Sequence, residues 1–320
     1  AWIEPLLAWG LFLGALYLVM VAICVLLRRQ WMEHERLLYP LMQPSLALID
    51  RAPDALLPRL CQSSLLWVGI AIPMFIGLIN GLHAYYEFIP KVILEQNFAL
   101  FRQTTTVRAA LSFTTLGFAY FLSSDISLGI WVFNMLAKCQ EGAFNVLGVA
   151  SEETMEWVTV PYLAHQSLGA MIVLVVWGLW TARRHLRVTI EIALRRGQFV
   201  ETEDGSSHTD RDEIMSYRSA WLSLLVGGPF LWWWLWRTGM PAWTAALVLI
   251  VGMVLFVGLT RMVTEGGFFI TRAPINPGNA IISGVGVDAL GTAGVTGLGY
   301  SFVWVGEMRI FVMAACANAL

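Results

Sequence analysis

The chain has 320 residues, of which 58% are hydrophobic and 13% are charged, and its mean hydropathy is +0.66. Soluble globular domains carry about 25% charged residues, so this composition excludes an ordinary soluble domain and predicts a polytopic α-helical membrane protein. A net charge of −2 without a long basic run excludes a nucleic-acid partner. The cysteines and histidines lack CxxC, HxxxH and HExxH spacing, so we expect neither a metal nor a cofactor.

The apolar runs predict an all-α transmembrane helical bundle, and residues 1–320 form a single transmembrane domain in this interpretation. The predicted spans are Pro5–Leu27, Ser64–Leu82, Ala164–Ala182, Ser219–Trp236 and Met240–Val263. The tail Ala280–Leu320 adds one glycine-rich and one ordinary apolar segment, each long enough to cross. Because the chain begins Ala-Trp-Ile-Glu without methionine, we expect it to be a piece of a longer protein.

The distribution of basic residues predicts the orientation of these spans. The segment Arg28–Arg59 carries five arginines and Arg183–Arg218 carries seven, whereas Gln140–Leu163 has no Lys or Arg and four glutamates. Cytoplasmic loops are enriched in basic residues, which assigns loops near 28–62 and 183–218 to the cytoplasm and the acidic loop to the outside. The N-terminus of this chain then lies outside.

The stretch Ala109–Cys139 must cross an even number of times or re-enter, because Lys91–Arg108 and Gln140–Leu163 are both predicted outside. Its 31 residues are short for two full spans, which predicts a broken or re-entrant helical hairpin that turns at Ser123–Asp125. The alternative is a pair of ordinary spans with different limits. A broken helix would indicate a transport path.

Asp125 is the first candidate functional residue, because burying an ionisable group at membrane depth costs free energy and such groups usually serve a function. Trp131 and Asn134 follow it on the next half-helix. Asp125 can contact a substrate, or it can simply cap the helix that starts there.

The cytoplasmic segment beginning "RRHLRVTIEIALRRG" has the alternation of a strand, but its continuity with the preceding span favours a helix. The polar loop after it contains Asp210 and Asp212, either of which could cap the next helix.

Arg261 and Glu265, in "TRMVTEGG", are the second candidate pair. They are four residues apart on one helical face and can pair, either as substrate-path residues or as a structural interface pair near the cytoplasmic boundary. Nine glycines occur between Gly266 and Gly299, which permit close helix approach or mark unwound backbone around a site.

The segment "RRQWMEHERLLYP" after the first span resembles a pattern of the oligopeptide transporter superfamily. The matching positions are Arg28, Arg29, Gln30, Glu35, Leu37, Tyr39 and Pro40. The resemblance is closer to an uncharacterised group of large bacterial membrane proteins distantly similar to these carriers, in which "YFLSSDISLGIWVFNMLAK" and "ARRHLR" also match. After Pro40 the chain continues "LMQPSLALI", where the transporters tend to have small residues and glycine. The resemblance implies a longer full chain and substrates such as peptides or metal chelates, coupled to protons.

These observations favour a secondary transporter in a bacterial inner membrane, with Asp125, Trp131, Asn134, Arg261 and Glu265 along the substrate path. The expected partners are the lipid bilayer and a small-molecule or peptide substrate. A second hypothesis is a membrane enzyme acting on a lipid or lipid-linked substrate, which would use Glu33–Arg36 with His185 and Arg183/Arg184. A third is a scaffold that transports nothing. The charges of 28–40 also suit a plain cytoplasmic anchor, with Pro40 ending the helical extension.

Overall fold

The computed structural model describes residues 2–50, 58–149, 155, 160–195, 200–201, 207–208, 213–268 and 272–319. These residues are predominantly helical, with little sheet. The chain divides into two compact units. The first unit comprises Ala1–Leu38, Glu153–Glu265 and Ile270–Leu320, and the second comprises Tyr39–Glu152 and Gly266–Phe269.

The described residues form twelve α-helices. They are α1 (Ile3–Arg29), α2 (Met42–Ile49), α3 (Ser64–Tyr85), α4 (Phe113–Ala119), α5 (Ser124–Leu147), α6 (Pro161–Thr181), α7 (Arg183–Leu194), α8 (Tyr217–Arg237), α9 (Ala242–Gly266), α10 (Pro277–Val285), α11 (Val287–Val305) and α12 (Glu307–Ala319). A π-helical turn, Gln30–His34, continues α1, and a 3₁₀ turn, Arg59–Gln62, precedes α3.

Four of the described helices are long and apolar enough to cross a membrane: α1 with its π-turn, α3, α6 and α9. α1 and α3 contain the predicted spans Pro5–Leu27 and Ser64–Leu82, and α6 and α9 cover all but one and two residues of Ala164–Ala182 and Met240–Val263. The predicted span Ser219–Trp236 is also a helix, α8, but it does not belong to these four. Its sequence is interrupted by serines, glycines and several tryptophans, which make it less apolar than the others.

The core of the first unit forms where α1 packs along α8 and α7. A buried cluster joins Ala22, Val25, Leu26, Ile192, Tyr217 and Ala220 from the three helices. Gly227 of α8 permits the close approach, because a Cβ there would lie 2.6 Å from Cγ2 of Val19. The helical interpretation of Arg183–Leu194 is confirmed. Ser216 caps α8, and Asp210 and Asp212 lie outside the described residues.

The second unit contains α3, an apolar helix of 22 residues with no buried residue, and a β-hairpin that the sequence analysis did not predict. Strands β1 (Glu95–Leu100) and β2 (Thr105–Ala110) pair antiparallel from Glu95↔Ala110 to Leu100↔Thr105. A further pair, β3 (Val200–Glu201) and β4 (Ser207–His208), lies in the predicted polar loop.

The predicted hairpin at 109–139 has a different form in the structure. The helical path does break before Ser124, but its two arms are unequal: α4 has 7 residues and α5 has 24. The prediction of two half-length helices is therefore wrong, and residues 105–110 belong to β2 instead. Ser123 caps α5, since its hydroxyl accepts a hydrogen bond from the amide of Ile126 at 3.4 Å, so Asp125 is not the cap.

A helical hairpin of unequal arms also occurs in the tail. α10 has 9 residues and folds back along α11, and Gly286, with φ of 89°, joins the two helices. Gly291, with φ of 64°, kinks α11, and Gly306 separates it from α12. Glycines in non-helical conformations thus divide the described part of the tail, which was predicted to hold one glycine-rich and one ordinary apolar segment, each long enough to cross.

Candidate functional site

Arg261, in the last turns of α9, lies between two carboxylates. Its Nε donates to Oε2 of Glu265 at 3.1 Å, so the pair predicted from the four-residue spacing is present. Its Nη1 forms a second ion pair with Glu35, which follows the π-turn of α1. The Arg261 and Glu35 side chains are 18% and 17% exposed and Glu265 is 45% exposed, so the contact with Glu35 is the more protected one. A planar guanidinium suits two simultaneous partners better than a lysine would.

The π-turn presents Glu35 to Arg261. The amide of Glu35 donates to the carbonyl of Gln30 at 2.9 Å, and the Gln30 side chain donates to Oε1 of Glu35 at 3.0 Å. Trp31, also in this turn, places its ring 5.8 Å from the Arg261 guanidinium, within the range of a cation–π contact. π-turns occur frequently at functional sites, because the extra residue redirects side chains.

The backbone after the π-turn is unusual at two residues. Arg36 has φ of 50° and Tyr39 has φ of 46°, a conformation that residues other than glycine rarely adopt. Such residues cost free energy and persist where the surrounding structure requires them. Pro40 follows, and a Cβ on Gly267 would lie 2.5 Å from its Cβ, so Gly267, with φ of 60°, is the residue that fits there. The helical extension ends at Glu35, several residues before Pro40.

A second ion-pair group binds α1 to the start of α8. The Glu213 side chain, 1% exposed, lies 3.0 Å from Arg29 Nε and 3.3 Å from Arg28 Nη1. Tyr217, which is buried, donates its hydroxyl to the same carboxylate at 3.4 Å. Removing one member of such a group would leave a buried charge without its partner. Arg28 and Arg29, two of the positions that match the transporter pattern, therefore stabilise the contact of α1 with the start of α8.

The residues of the enzyme hypothesis are brought together only in part. The rings of His34 and His185 lie 5.9 Å apart, and His185 Nε2 donates to the carbonyl of Leu26 at 3.0 Å. Arg183 is exposed and covers the ring of Trp180 at 4.3 Å. Across the described part of the chain, no group of three or more His, Cys, Asp or Glu side chains has a metal-binding arrangement.

Asp125, Trp131 and Asn134 lie on α5, which belongs to the second unit, whereas the Arg261 network belongs to the first. Asp125 is in the first turn of α5, where a carboxylate interacts favourably with the helix dipole. All three side chains are exposed, Trp131 at 62%. Their role on a substrate path stays a prediction.

Two sets of polar residues were not found from the sequence. Glu213 carries no pattern that sets it apart from other acidic loop residues. Asn276 caps α10 by accepting from the amide of Gly278 at 2.8 Å, and it accepts a second bond from the Ser301 hydroxyl at 3.1 Å. The Asn-Pro-Gly sequence at 276–278 does indicate a helix start, but the contact with Ser301 depends on the fold.

The structure thus defines a predominantly helical protein with four helices suited to cross a membrane and an ion-pair network at the ends of α1 and α9. The chain belongs to a family of unknown function, DUF6785, whose model matches residues 1–320. No curated protein and no solved structure matches the chain.

Proposed function

We propose that this chain is part of a secondary transporter, a multi-pass protein of a bacterial inner membrane that moves small peptides or metal chelates together with protons. The observation that carries the proposal is the broken helical segment 276–306 in the first unit. The resemblance of "RRQWMEHERLLYP" to the oligopeptide transporter pattern supports the same function.

The broken segment reaches the middle of the helices around it. Trp304 lies against Phe12 of α1, with ring centroids 5.8 Å apart, and against Gly252 near the middle of α9. Just beyond it, Gly306 interrupts the helix, and Asn276 and Ser301 lie buried beside the start of α10. Irregular backbone within a membrane is tolerated when it is buried in protein or lines a cavity, and transporters place substrate sites at such breaks.

The exposed apolar helices support membrane insertion. α3 has 22 residues, carries an internal apolar sequence and buries none of its side chains. In water, so large an exposed apolar surface would drive association, whereas in lipid it is satisfied. The two segments assigned to the cytoplasm also meet, since Arg28 and Arg29 contact Glu213 at one end of the first unit.

In this proposal the Arg261 network couples protons to transport. Glu35 and Glu265 share one guanidinium, so protonation of either carboxylate leaves Arg261 to the other and changes the end of α9. We propose Glu265, the more exposed of the two, as the proton carrier. Asp125 is the alternative carrier, with Trp131 and Asn134 as its neighbours on the path.

The test is uptake by proteoliposomes containing the full-length protein, over a panel of peptides and metal chelates, with and without a pH gradient. We expect gradient-dependent uptake of at least one solute, and loss of the gradient dependence in Glu265→Gln. Glu191→Gln is the matched control, because Glu191 forms an exposed i,i+4 pair with Arg195 of the same kind. Absence of uptake, with Glu265→Gln and Asp125→Asn indistinguishable from the parent protein in cells, would refute the proposal and favour a scaffold.

The contact of His34 with His185 supports a second candidate function, an enzyme acting on a lipid headgroup. Both residues lie at the arginine-rich end of α1 and α7, beside the exposed Arg183 and Arg184. This candidate predicts consumption of an added lipid or lipid-linked substrate that stops in His34→Gln and His185→Gln. Uptake that survives both substitutions favours the transporter.

A further inference from the structure

The first unit contains a cavity of about 630 Å³ at the opposite end of α1 from the Arg261 network. It begins beside Trp9, near the start of α1, and Thr238, after the end of α8. It extends along α11 to Trp304, which contacts Gly252 near the middle of α9. The volume is within the range of small-molecule sites, roughly 300–1,000 Å³. The cavity is therefore lined on one side by α11, which belongs to the broken segment 276–306.

One wall of the cavity is aromatic. The rings of Trp9 and Trp234 lie 4.9 Å apart, Trp234 continues to Phe12 at 4.5 Å, and Phe12 continues to Trp304 at 5.8 Å. Phe12 and Trp304 are almost fully buried, which fixes the wall from behind. Tyr300 adds a fifth ring at the rim, where it is 62% exposed. Ring faces carry negative electrostatic potential and attract cations.

Two threonine hydroxyls of the cavity, those of Thr296 and Thr238, present acceptors to it. Thr296 donates its hydroxyl hydrogen to the carbonyl of Thr292 at 2.8 Å, and Thr238 donates its own to the carbonyl of Leu235 at 2.7 Å. Their oxygens keep lone pairs that can accept from a ligand. Among the residues that line the cavity, none is acidic or basic. No cationic side chain lines the cavity to pair with an anion, whose partners would be neutral donors only, whereas an ammonium group would meet ring faces and hydroxyl oxygens.

We propose that this cavity binds an organic amine or ammonium ion with an apolar body, its cationic head against the Trp9–Trp234 wall and the hydroxyl of Thr296. The inference that such an amine is also the transported substrate rests on the proposed transport function. The inference that the cavity binds the amine depends only on the geometry of the cavity. The cavity lies apart from the Arg261 network, whose charges do not line it.

The experiment is equilibrium binding to the full-length protein in nanodiscs, without any gradient, measured by calorimetry. The probes share one apolar body: 2-phenylethylamine as the cation, 2-phenylethanol as the neutral analogue and phenylacetate as the anion. We expect the cation to bind about fivefold or more tightly than the alcohol, in line with a desolvated cation–π contact, and phenylacetate not to bind. Equal binding of amine and alcohol, preference for the anion, or no binding of any probe would overturn the proposal.

Variants locate the site. Thr296→Val removes the acceptor at nearly constant shape, and Thr181→Val is its matched control, because Thr181 makes the same intrahelical bond, to Trp177 at 3.0 Å, outside the cavity. We expect weaker amine binding in the first and parental affinity in the second. Trp9→Phe should retain most of the affinity and Trp9→Ala should lose it, with unchanged melting temperatures. Equal effects of the two Thr variants would contradict the assignment. Binding without amine uptake would leave the cavity assigned and count against transport of this class.

Discussion

Arg261 has two carboxylate partners that differ in burial, and this difference decides which of them stabilises the fold. Glu35 is 17% exposed and is also held by Gln30, whereas Glu265 is 45% exposed on the same helix as Arg261. An exposed i,i+4 pair contributes little, because solvent screens it. A partly buried pair between two helices contributes more once its partner is lost, since a charge is then left unpaired.

We therefore expect Glu35→Gln to lower the free energy of unfolding by about 2–3 kcal/mol, and Glu265→Gln to lower it by no more than about 0.5 kcal/mol. The measurement is the thermal unfolding midpoint of the purified full-length protein in detergent, with Glu191→Gln as the control for an exposed pair on another helix. Equal destabilisation by Glu35→Gln and Glu265→Gln would contradict the unequal roles of the two partners.

The sequence predicted half of this network. The spacing of Arg261 and Glu265 on one helical face predicted their pairing, because i,i+4 contacts are local. Gln30 and Glu35 were singled out because they match the transporter pattern, but they were not predicted to contact Arg261. Their contact requires the π-turn and the approach of α1 to α9, and neither has a local signature in "QWMEHE". Glu213 was missed for the same reason.

At the scale of the helices, the contact between α1 and α8 depends on one glycine of an adjacent pair. A Cβ at Gly227 would lie 2.6 Å from Cγ2 of Val19, whereas a Cβ at Gly228 would meet no atom within 4 Å. Both residues are in the same helix turn and in helical conformation. They differ in their contact with α1 and in that Gly228 precedes Pro229, so a larger effect at Gly227 reports the packing against Val19.

We expect Gly227→Ala to destabilise the protein by about 1–3 kcal/mol, because the stiff side chain of Val19 cannot move aside freely. Gly228→Ala should destabilise the protein less than Gly227→Ala, because a Cβ there meets no neighbouring element and only the following Pro229 disfavours a helical alanine at this position. Thermal unfolding of the two variants beside the parent protein measures both. Equal destabilisation by the two variants, or none by Gly227→Ala, would show that the helices do not approach each other as closely as in this structure.

The presence of the long helices was predictable from the sequence, whereas the positions at which helices break were predicted less well. Hydropathy predicted α1, α3, α6 and α9, since long apolar runs admit few alternatives. The hairpin of β1 and β2 was missed because its loop has no Asn-Gly or Asp-Gly signal; Phe101, Arg102 and Gln103 adopt positive φ instead. A hairpin of two half-length helices was expected at 109–139, where the arms have 7 and 24 residues instead. The hairpin at 277–305, with arms of 9 and 19 residues, was not predicted, and glycines of positive φ make its breaks.

At the scale of the whole molecule, the arrangement of helices in the first unit defines two ends. One end carries Arg28, Arg29 and Glu213 together with the Arg261 network, and the other carries the end of α8 and the start of α9. The 21 residues of α8 separate these ends by about 30 Å, the thickness of the hydrocarbon core of a bilayer. The excess of arginine at the first end is what the positive-inside rule assigns to the cytoplasm.

This arrangement predicts the labelling of single cysteines in a background without the native Cys24, Cys61, Cys139 and Cys316. Arg184→Cys, exposed at the start of α7, should react with an impermeant maleimide only from the cytoplasmic side, in inverted vesicles. Arg237→Cys, exposed at the end of α8, should react only in intact cells with a permeabilised outer membrane.

Val173→Cys is the control, because this side chain is 68% exposed in the middle of α6 and should stay unlabelled only if lipid covers it. Labelling of both arginine positions from one side would contradict the orientation, and labelling of Val173→Cys from either side would contradict membrane insertion of α6. The two arginine positions test the direction in which the helices cross, and Val173→Cys tests whether lipid surrounds α6. Hydropathy does not distinguish these two properties.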